Sequence, residues 1–179
     1  MTFDLISVSL EDLLEKWGRE NVERLLKTFK CRLEPNMEEF LTQDAISFHQ
    51  KHRSRTYLFL SKDRMTVSAY VTLGIKCMSI PKKNELSKKV RDQMNVHNGI
   101  SQSYLIGQLC KADNVEKGIG PKLIEFALSI FNKSFKSVGC RVVRADCKAD
   151  LLDFYRENGF HQVSQTKEAD ELYHMVMLL

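Results

Sequence analysis

Lys117-Gly118-Ile119-Gly120 is followed at once by Pro121 and by apolar residues at helical spacing, Leu123, Ile124, Phe126, Ala127, Leu128, Ile130 and Phe131. Proline suits the first position of a helix, where its missing N–H would have no intrahelical partner. The unpaired amides of such a first turn, with the positive end of the helix dipole, attract an anion. Glycines let the backbone approach phosphate oxygens with no Cβ in the way. The segment therefore reads as a pyrophosphate cradle. It is not a Walker loop, since no Gly-Lys-Ser/Thr follows, and it lacks the third glycine of the dinucleotide fingerprint. A Gly-x-Gly turn that serves geometry alone stands beside the anion-binding reading.

The thiols and imidazoles point to no comparable centre. Cys31, Cys77, Cys110, Cys140 and Cys147 are odd in number and include no C-x-x-C pair. A disulfide framework or a zinc site would need paired cysteines at short spacing. His49 and His52 have no cysteine pair beside them. Free thiols in a reducing compartment and no bound metal are expected. His161 and His174, near the end of the chain, read as structural histidines.

The 179 residues amount to one domain, with 43% hydrophobic and 28% charged residues. A chain of this size buries about 70% of its unfolded surface, which excludes a disordered protein. No apolar run approaches the roughly 20 residues of a membrane span. The start, MTFDLISVSLEDLLEKW, is acidic and has no basic n-region. A soluble cytoplasmic protein is expected. Two segments concentrate the positive charge. Residues 49–64 hold Lys51, Arg53, Arg55, Lys62 and Arg64, and residues 76–93 hold Lys76, Lys82, Lys83, Lys88, Lys89 and Arg91. Either they form an anion-facing patch or they are solvated surface.

Several elements position the loop. Residues 3–8 suit a short strand. Ser9 with Glu11 and Asp12 reads as a helix N-cap with acids in the first turn. Leu10, Leu13, Leu14 and Trp17 follow at helical spacing, Gly18 is a break, and Val22, Leu25, Leu26 and Phe29 carry a second helix to about Lys30. Asn36 reads as the cap of a third helix running through Phe48. The period then changes to that of strands, at 56–60 and from 67 towards Ile80, with a turn at 62–64. Residues 84–95 are polar and tolerate a helix. A strand spans 103–109 with Gly107 as a candidate bulge, a helix 121–135, a strand centres on Val142-Val143, a short helix covers 149–158, and a last strand 172–178. Strands alternating with helices after a helical opening indicate a mixed α/β domain.

Asp150 to Phe160, with Phe154-Tyr155 and Gly159-Phe160, completes a pattern with the Gly-x-Gly loop. Together they resemble the GNAT superfamily of acetyl-CoA-dependent N-acetyltransferases. That family has a bulged strand, a Gln/Arg-x-x-Gly-x-Gly/Ala loop and helix, a further strand, and a helix bearing Phe/Leu-Tyr-x-x-x-Gly-Phe. These match Tyr104–Cys110, Val115–Gly120, Cys140–Cys147 and Phe154–Phe160, in order, over about residues 50–179. The resemblance implies a central, mostly antiparallel mixed sheet with one splayed strand pair and flanking helices. It makes 1–179 a single GNAT-like domain, with about 1–35 as a helical N-terminal extension. It implies that the pantetheine arm pairs with the backbone of Gln108, Leu109 and Cys110. The pyrophosphate donors would be Lys117, Gly118, Ile119, Gly120 and Lys122, and Tyr155 would protonate the departing thiolate. A phenol with a pKa near 10 carries its proton at pH 7. Val115 stands where the family has Gln or Arg, and Pro121 has no amide to give; Lys117 and Lys122 bring positive charge to the same loop.

The acceptor implied is an amine. Cys31-Arg32-Leu33-Glu34-Pro35-Asn36, Phe40-Leu41 and Ser54-Arg55-Thr56-Tyr57 are similar to the N-terminal part of GNAT-type toxins of toxin–antitoxin pairs and their phage-borne relatives. Those toxins acetylate the α-amine of aminoacyl-tRNA and stop translation. An α-amine with a pKa near 8 is partly neutral at pH 7. The basic segments would suit a tRNA backbone. A homodimer is compatible with the resemblance, no general base stands out, and a non-catalytic acyl-CoA-binding module is the alternative of a different class.

Overall fold

The computed structural model of the protein describes residues 5–164 and 172–179. Residues 3 and 4 of the expected first strand lie outside the described residues. Two compact units divide the chain, Met1–Leu73 with Gln108–Leu123, and Gly74–Gly107 with Ile124–Leu179. Among the described residues no helix is long and apolar enough to cross a membrane.

The first unit opens with strand β1 (Ile6–Ser9) and helix α1 (Leu10–Leu26). Ser9 caps α1 by accepting the Asp12 amide at 3.0 Å and returns its hydroxyl proton to the Asp12 carboxylate at 2.6 Å. Gly18, at φ 74° and ψ 161°, breaks α1 where a break is expected, because that backbone conformation is cheap only without a Cβ. The helical period ends at Leu26, short of Lys30. Beyond it, Thr28 donates its hydroxyl to the Leu25 carbonyl and accepts the Val67 amide, which turns the chain out of the helix. Helix α2 (Pro35–Glu39) begins one residue before the expected Asn36 cap, with Pro35 in the first turn, where no amide is needed. A π-helical segment (Phe40–Asp44) joins it to α3 (Ala45–Gln50).

Strand β2 (Arg55–Leu60) and the first part of β3 (Val67–Ser79) follow in the same unit. They pair antiparallel from Arg55 with Leu73 to Leu60 with Val67, with a register shift between Phe59 and Leu60. Residues 67–73 are all buried, as in a strand covered on both faces. One apolar cluster gathers Leu10, Leu13, Val22, Leu25, Leu26, Phe29, Leu41, Ile46, Leu58, Leu60 and Tyr70 with Cys31 and Cys110. Phe29 meets Tyr70 edge-on at 5.2 Å, and the Tyr70 hydroxyl donates to the Met37 carbonyl.

The second unit holds the rest of β3, helix α4 (Lys88–Gln93), most of β4 (Ile100–Lys111) and most of α5 (Gly120–Val138). It also holds β5 (Val142–Cys147), a 3₁₀ turn (Ala149–Leu151), α6 (Leu152–Glu157), β6 (His161–Gln162) and β7 (Tyr173–Leu178). Tyr104 stacks on Phe131 at 4.8 Å, which fixes α5 to this part of β4. The strand order is β1-β2-β3-β4-β5-β7-β6. Four of the described pairings are antiparallel and β4–β5 is parallel, which is the mostly antiparallel mixed sheet expected. The parallel ladder registers Tyr104 with Val143 and ends at Ile106 with Ala145, short of the end of β5.

Candidate active site

The loop between β4 and α5 is fastened at its root. Lys111 donates its ammonium to the carbonyls of Ala112 (3.3 Å) and Val115 (2.7 Å). Val115 itself packs against the apolar cluster of the first unit, so its backbone serves the loop and its side chain the core. The Asp113 amide donates to the Lys30 carbonyl at 2.8 Å. In return the Asp113 carboxylate accepts the Arg32 amide and, at 2.9 Å, the Arg32 guanidinium. These hydrogen bonds to Arg32 hold the Asp113 carboxyl below the ordinary carboxylate range.

At the tip of the loop Lys117 and Gly118 are exposed and Ile119 is buried. Gly118 has φ 102°, and a Cβ built on it would meet nothing within 4 Å. Protein atoms leave that space open, as a backbone cradle for an outside group requires. Gly120 is the first residue of α5. The Lys122 amide, expected as a donor of the cradle, is taken by the Ile119 carbonyl at 3.0 Å, and the Leu123 amide goes to the same oxygen. The closing of the first helical turn consumes that donor, and Pro121 has none. Of the expected donors, the amides of residues 117–120 remain as candidates.

Before the loop, the Gln108 amide donates to Thr72 Oγ1 at 2.7 Å. Leu109 is half-buried and Cys110 buried. The Cys110 thiol lies 3.4 Å from that of Cys31. Burial pushes it well above the ordinary thiol range, which makes it a poor nucleophile.

In the second unit Tyr155 stands on α6 between the rings of Phe154 (5.1 Å) and Phe160 (5.4 Å), both edge-on. It is 6% exposed, and among the described residues its hydroxyl has no hydrogen-bond partner. Burial, and then the neighbouring Cys147 and Asp146, push the phenol above its ordinary range, so it holds its proton. Burial also pushes the Cys147 thiol up to about 11. Beside them lies a buried charge cluster. Arg144 donates to both carboxylate oxygens of Asp146 (2.6 and 2.8 Å), to the Cys77 carbonyl (3.3 Å) and to His174 Nε2 (2.8 Å). Arginine has no acceptor, so His174 Nε2 accepts and the imidazole proton sits on Nδ1. Lys76 approaches Asp146 at 3.8 Å.

No protein-family model and no curated protein sequence matches the chain. Solved structures do. AtaT complexed with acetyl-methionyl-tRNAfMet matches at a TM-score of 0.76 over 98% of this chain and 95% of that one, with 18% identity. A tyrosine-to-phenylalanine mutant of KacT matches at 0.76 over 97% and 94%, also with 18% identity. A tyrosine-to-phenylalanine mutant of the AtaT toxin bound to the C-terminus of the antitoxin AtaR and acetyl-CoA matches at 0.70 over 98% and 93%, with 17% identity. The chain has the GNAT fold.

Within this GNAT fold, Gln108, Leu109, Cys110 and the loop residues 117–120 belong to the first compact unit, and Tyr155 to the second. The basic segments differ in use. In 49–64, Arg55 donates to the His49 carbonyl and bonds to His52 Nδ1, and Arg53 covers the Phe48 ring at 5.5 Å. In 76–93, Lys82, Lys83, Lys88, Lys89 and Arg91 are exposed. His174 is buried in the charge cluster and His161 is exposed. Among the described residues no group of three or more His, Cys, Asp or Glu is placed to hold a metal. Thr72, Lys111 and the Arg144–Asp146 pair were not expected. Only Arg144 and Asp146, alternate residues of a predicted strand, left a hint in the sequence, since two opposite charges on one strand face are placed to pair with each other.

Proposed function

We propose that this protein is an acetyl-CoA-dependent N-acetyltransferase whose acceptor is the α-amine of an aminoacyl-tRNA. The observation that carries the reading is the likeness, over nearly the whole chain, to a structure of AtaT that holds acetyl-methionyl-tRNAfMet. The related structure with acetyl-CoA supports the choice of donor. The residues here suit both. Gly118 leaves its Cβ space open beside exposed Lys117, at the start of a helix whose first amides attract phosphate. The amides of residues 117–120 would hold the pyrophosphate, with Lys117 as a point charge.

Tyr155 supplies the proton. Its buried, protonated phenol has its hydroxyl unengaged among the described residues, as a donor to a thiolate must. Cys110 and Cys147 are buried, with their thiols pushed up, so direct transfer to the amine suits them better than an acyl-cysteine route. The amine reacts in its neutral form, which a free α-amine near pKa 8 supplies without a strong base. Exposed Lys82, Lys83, Lys88 and Lys89 suit the phosphates of a tRNA.

The test is acetyl transfer to aminoacyl-tRNA, to spermidine and to a lysine peptide at two salt concentrations. Transfer to charged tRNA is expected, weakening steeply with salt through counterion release. Neutralising Lys82, Lys83, Lys88 and Lys89 together raises the KM for tRNA, flattens the salt slope and leaves acetyl-CoA affinity unchanged. Transfer to spermidine or peptide with none to tRNA overturns the acceptor and keeps the transferase. A purified protein that binds acetyl-CoA and transfers to nothing is the non-catalytic module.

A further inference from the structure

The Gln108 amide, in a strand whose amides ordinarily meet carbonyls, donates to a side chain. Its acceptor is Thr72 Oγ1 at 2.7 Å. Just past the end of β4 the Ala112 amide donates to the Ser68 carbonyl at 2.8 Å. Residue numbers fall along β4 as they rise along β3, so the two strands run antiparallel here and Gln108 lies opposite Thr72. In a regular antiparallel pair the Gln108 amide would meet the Thr72 carbonyl. The threonine hydroxyl is an acceptor of that amide, and at 2% exposure no solvent competes for it.

Backbone groups of successive strand residues point to alternate edges. With Gln108 and Ala112 both turned to β3, Cys110 between them turns the same way. Leu109 and Lys111 then direct their amides and carbonyls to the edge of β4 that faces away from β3. We infer that Thr72 is a positioning residue for acetyl-CoA: its hydroxyl holds the backbone of β4 so that Leu109, and not Gln108 or Cys110, offers its amide and carbonyl to the pantetheine arm. The inference rests on the proposed reading of the protein as an acetyl-CoA-dependent transferase.

Two variants separate the hydroxyl from the shape of the side chain. Thr72→Val keeps the branched outline and removes the acceptor, leaving a buried amide without its partner. Thr72→Ser keeps the acceptor and removes a methyl. For Thr72→Val the Kd and KM for acetyl-CoA are expected to rise about tenfold, the factor that goes with one lost hydrogen bond. Its kcat and its KM for the amine should stay within about threefold, since Tyr155 and the acceptor contacts are untouched. Thr72→Ser should restore wild-type affinity. In an amide-resolved NMR titration of the wild type with acetyl-CoA, the Leu109 amide is expected to shift as a newly bonded group and the Gln108 amide to stay.

Wild-type protein that binds acetyl-CoA, with Thr72→Val unchanged or with Gln108 as the newly bonded amide, overturns the role of Thr72 and leaves the transferase reading standing. Wild-type protein without affinity for acetyl-CoA overturns the transferase reading and this inference together. Should Thr72→Val not fold, Thr72→Ala against Thr72→Ser carries the same comparison. Loss of fold in both Val and Ala variants assigns Thr72 to stability alone.

Discussion

Two ion pairs hold this protein's candidate machinery, and they are built on opposite terms. Arg32–Asp113, at the root of the glycine loop, joins an 88% exposed guanidinium to a 22% exposed carboxylate. Arg144–Asp146, on β5 near Tyr155, is buried, with Arg144 3% exposed. An exposed pair is screened by water and salt and adds little stability. A buried pair compensates its own desolvation, so removal of one partner leaves an unpaired charge inside the protein. The loop therefore needs an anchor that fixes direction, and the backbone bonds around Asp113 do most of that work. The second unit uses a charged cluster as a part of its interior.

The largest effect should come from breaking the buried pair. Asp146→Ala leaves Arg144 unpaired and is expected to cost about 3–5 kcal/mol of stability, read as a lower midpoint in urea unfolding. A loss no larger than that of a surface substitution would show that Arg144 escapes to water, and the contrast between the two pairs would collapse.

Next in size is a change beside that pair which leaves it intact. Tyr155→Phe keeps the edge-on packing with Phe154 and Phe160, so acetyl-CoA affinity and the unfolding midpoint should hold. Turnover should fall about 10²–10⁴-fold, the usual weight of a general acid. Because the phenol is pushed upward, its ionisation should not depress kcat between pH 7 and 9. Over that window the rate should rise as the acceptor amine loses its proton.

At the loop, Gly118→Asp probes the site without a clash, since its Cβ would meet no protein atom. The positive φ strains any side chain, at a cost of about 1–2 kcal/mol, and the new carboxylate repels phosphate. Calorimetry should show acetyl-CoA binding weakened by at least about tenfold in a folded protein. Unchanged affinity would move the pyrophosphate away from the loop.

The smallest effect belongs to the exposed pair. Asp113→Asn should hardly move the unfolding midpoint at pH 7. Its signature is in acid. The Asp113 carboxyl is held below its unfolded value, so its contribution is present above about pH 4 and is lost as pH falls through the folded value. Hydrogen exchange of the Arg32 amide should thus accelerate in acid in the wild type and be pH-independent, beyond the intrinsic rate, in the variant.

The parts of the candidate site whose local structure was legible in the sequence are those made by neighbours in the chain. Gly118 and Gly120 before Pro121 announce a turn into a helix, and Phe154-Tyr155 with Gly159-Phe160 announces a short helix closed by a turn. Each depends on φ, on a missing amide or on a helical period, and these are local properties. The end of α1 at Leu26 was not legible, because Thr28 is drawn away by Val67 of β3. The loss of the Lys122 amide was nearly legible, since a helix start that contains proline closes on the preceding carbonyl.

Alone, the sequence determined the order of the longer strands and helices, the capped start of α1, the break at Gly18 and the glycine loop, through side-chain period and backbone preference; the π-helical segment 40–44 and the two-residue β6 were not in that reading. Tertiary structure decided which backbone groups of β4 face which edge, because Thr72 reaches Gln108 only once β3 and β4 are paired. It also decided that Lys111 ties down the loop at Val115, and that Arg144, Asp146 and His174 share one buried cluster. A hydrogen bond or an ion pair is set by a separation of a few ångströms in space, and distance along the chain carries no information about it until strands have found their partners.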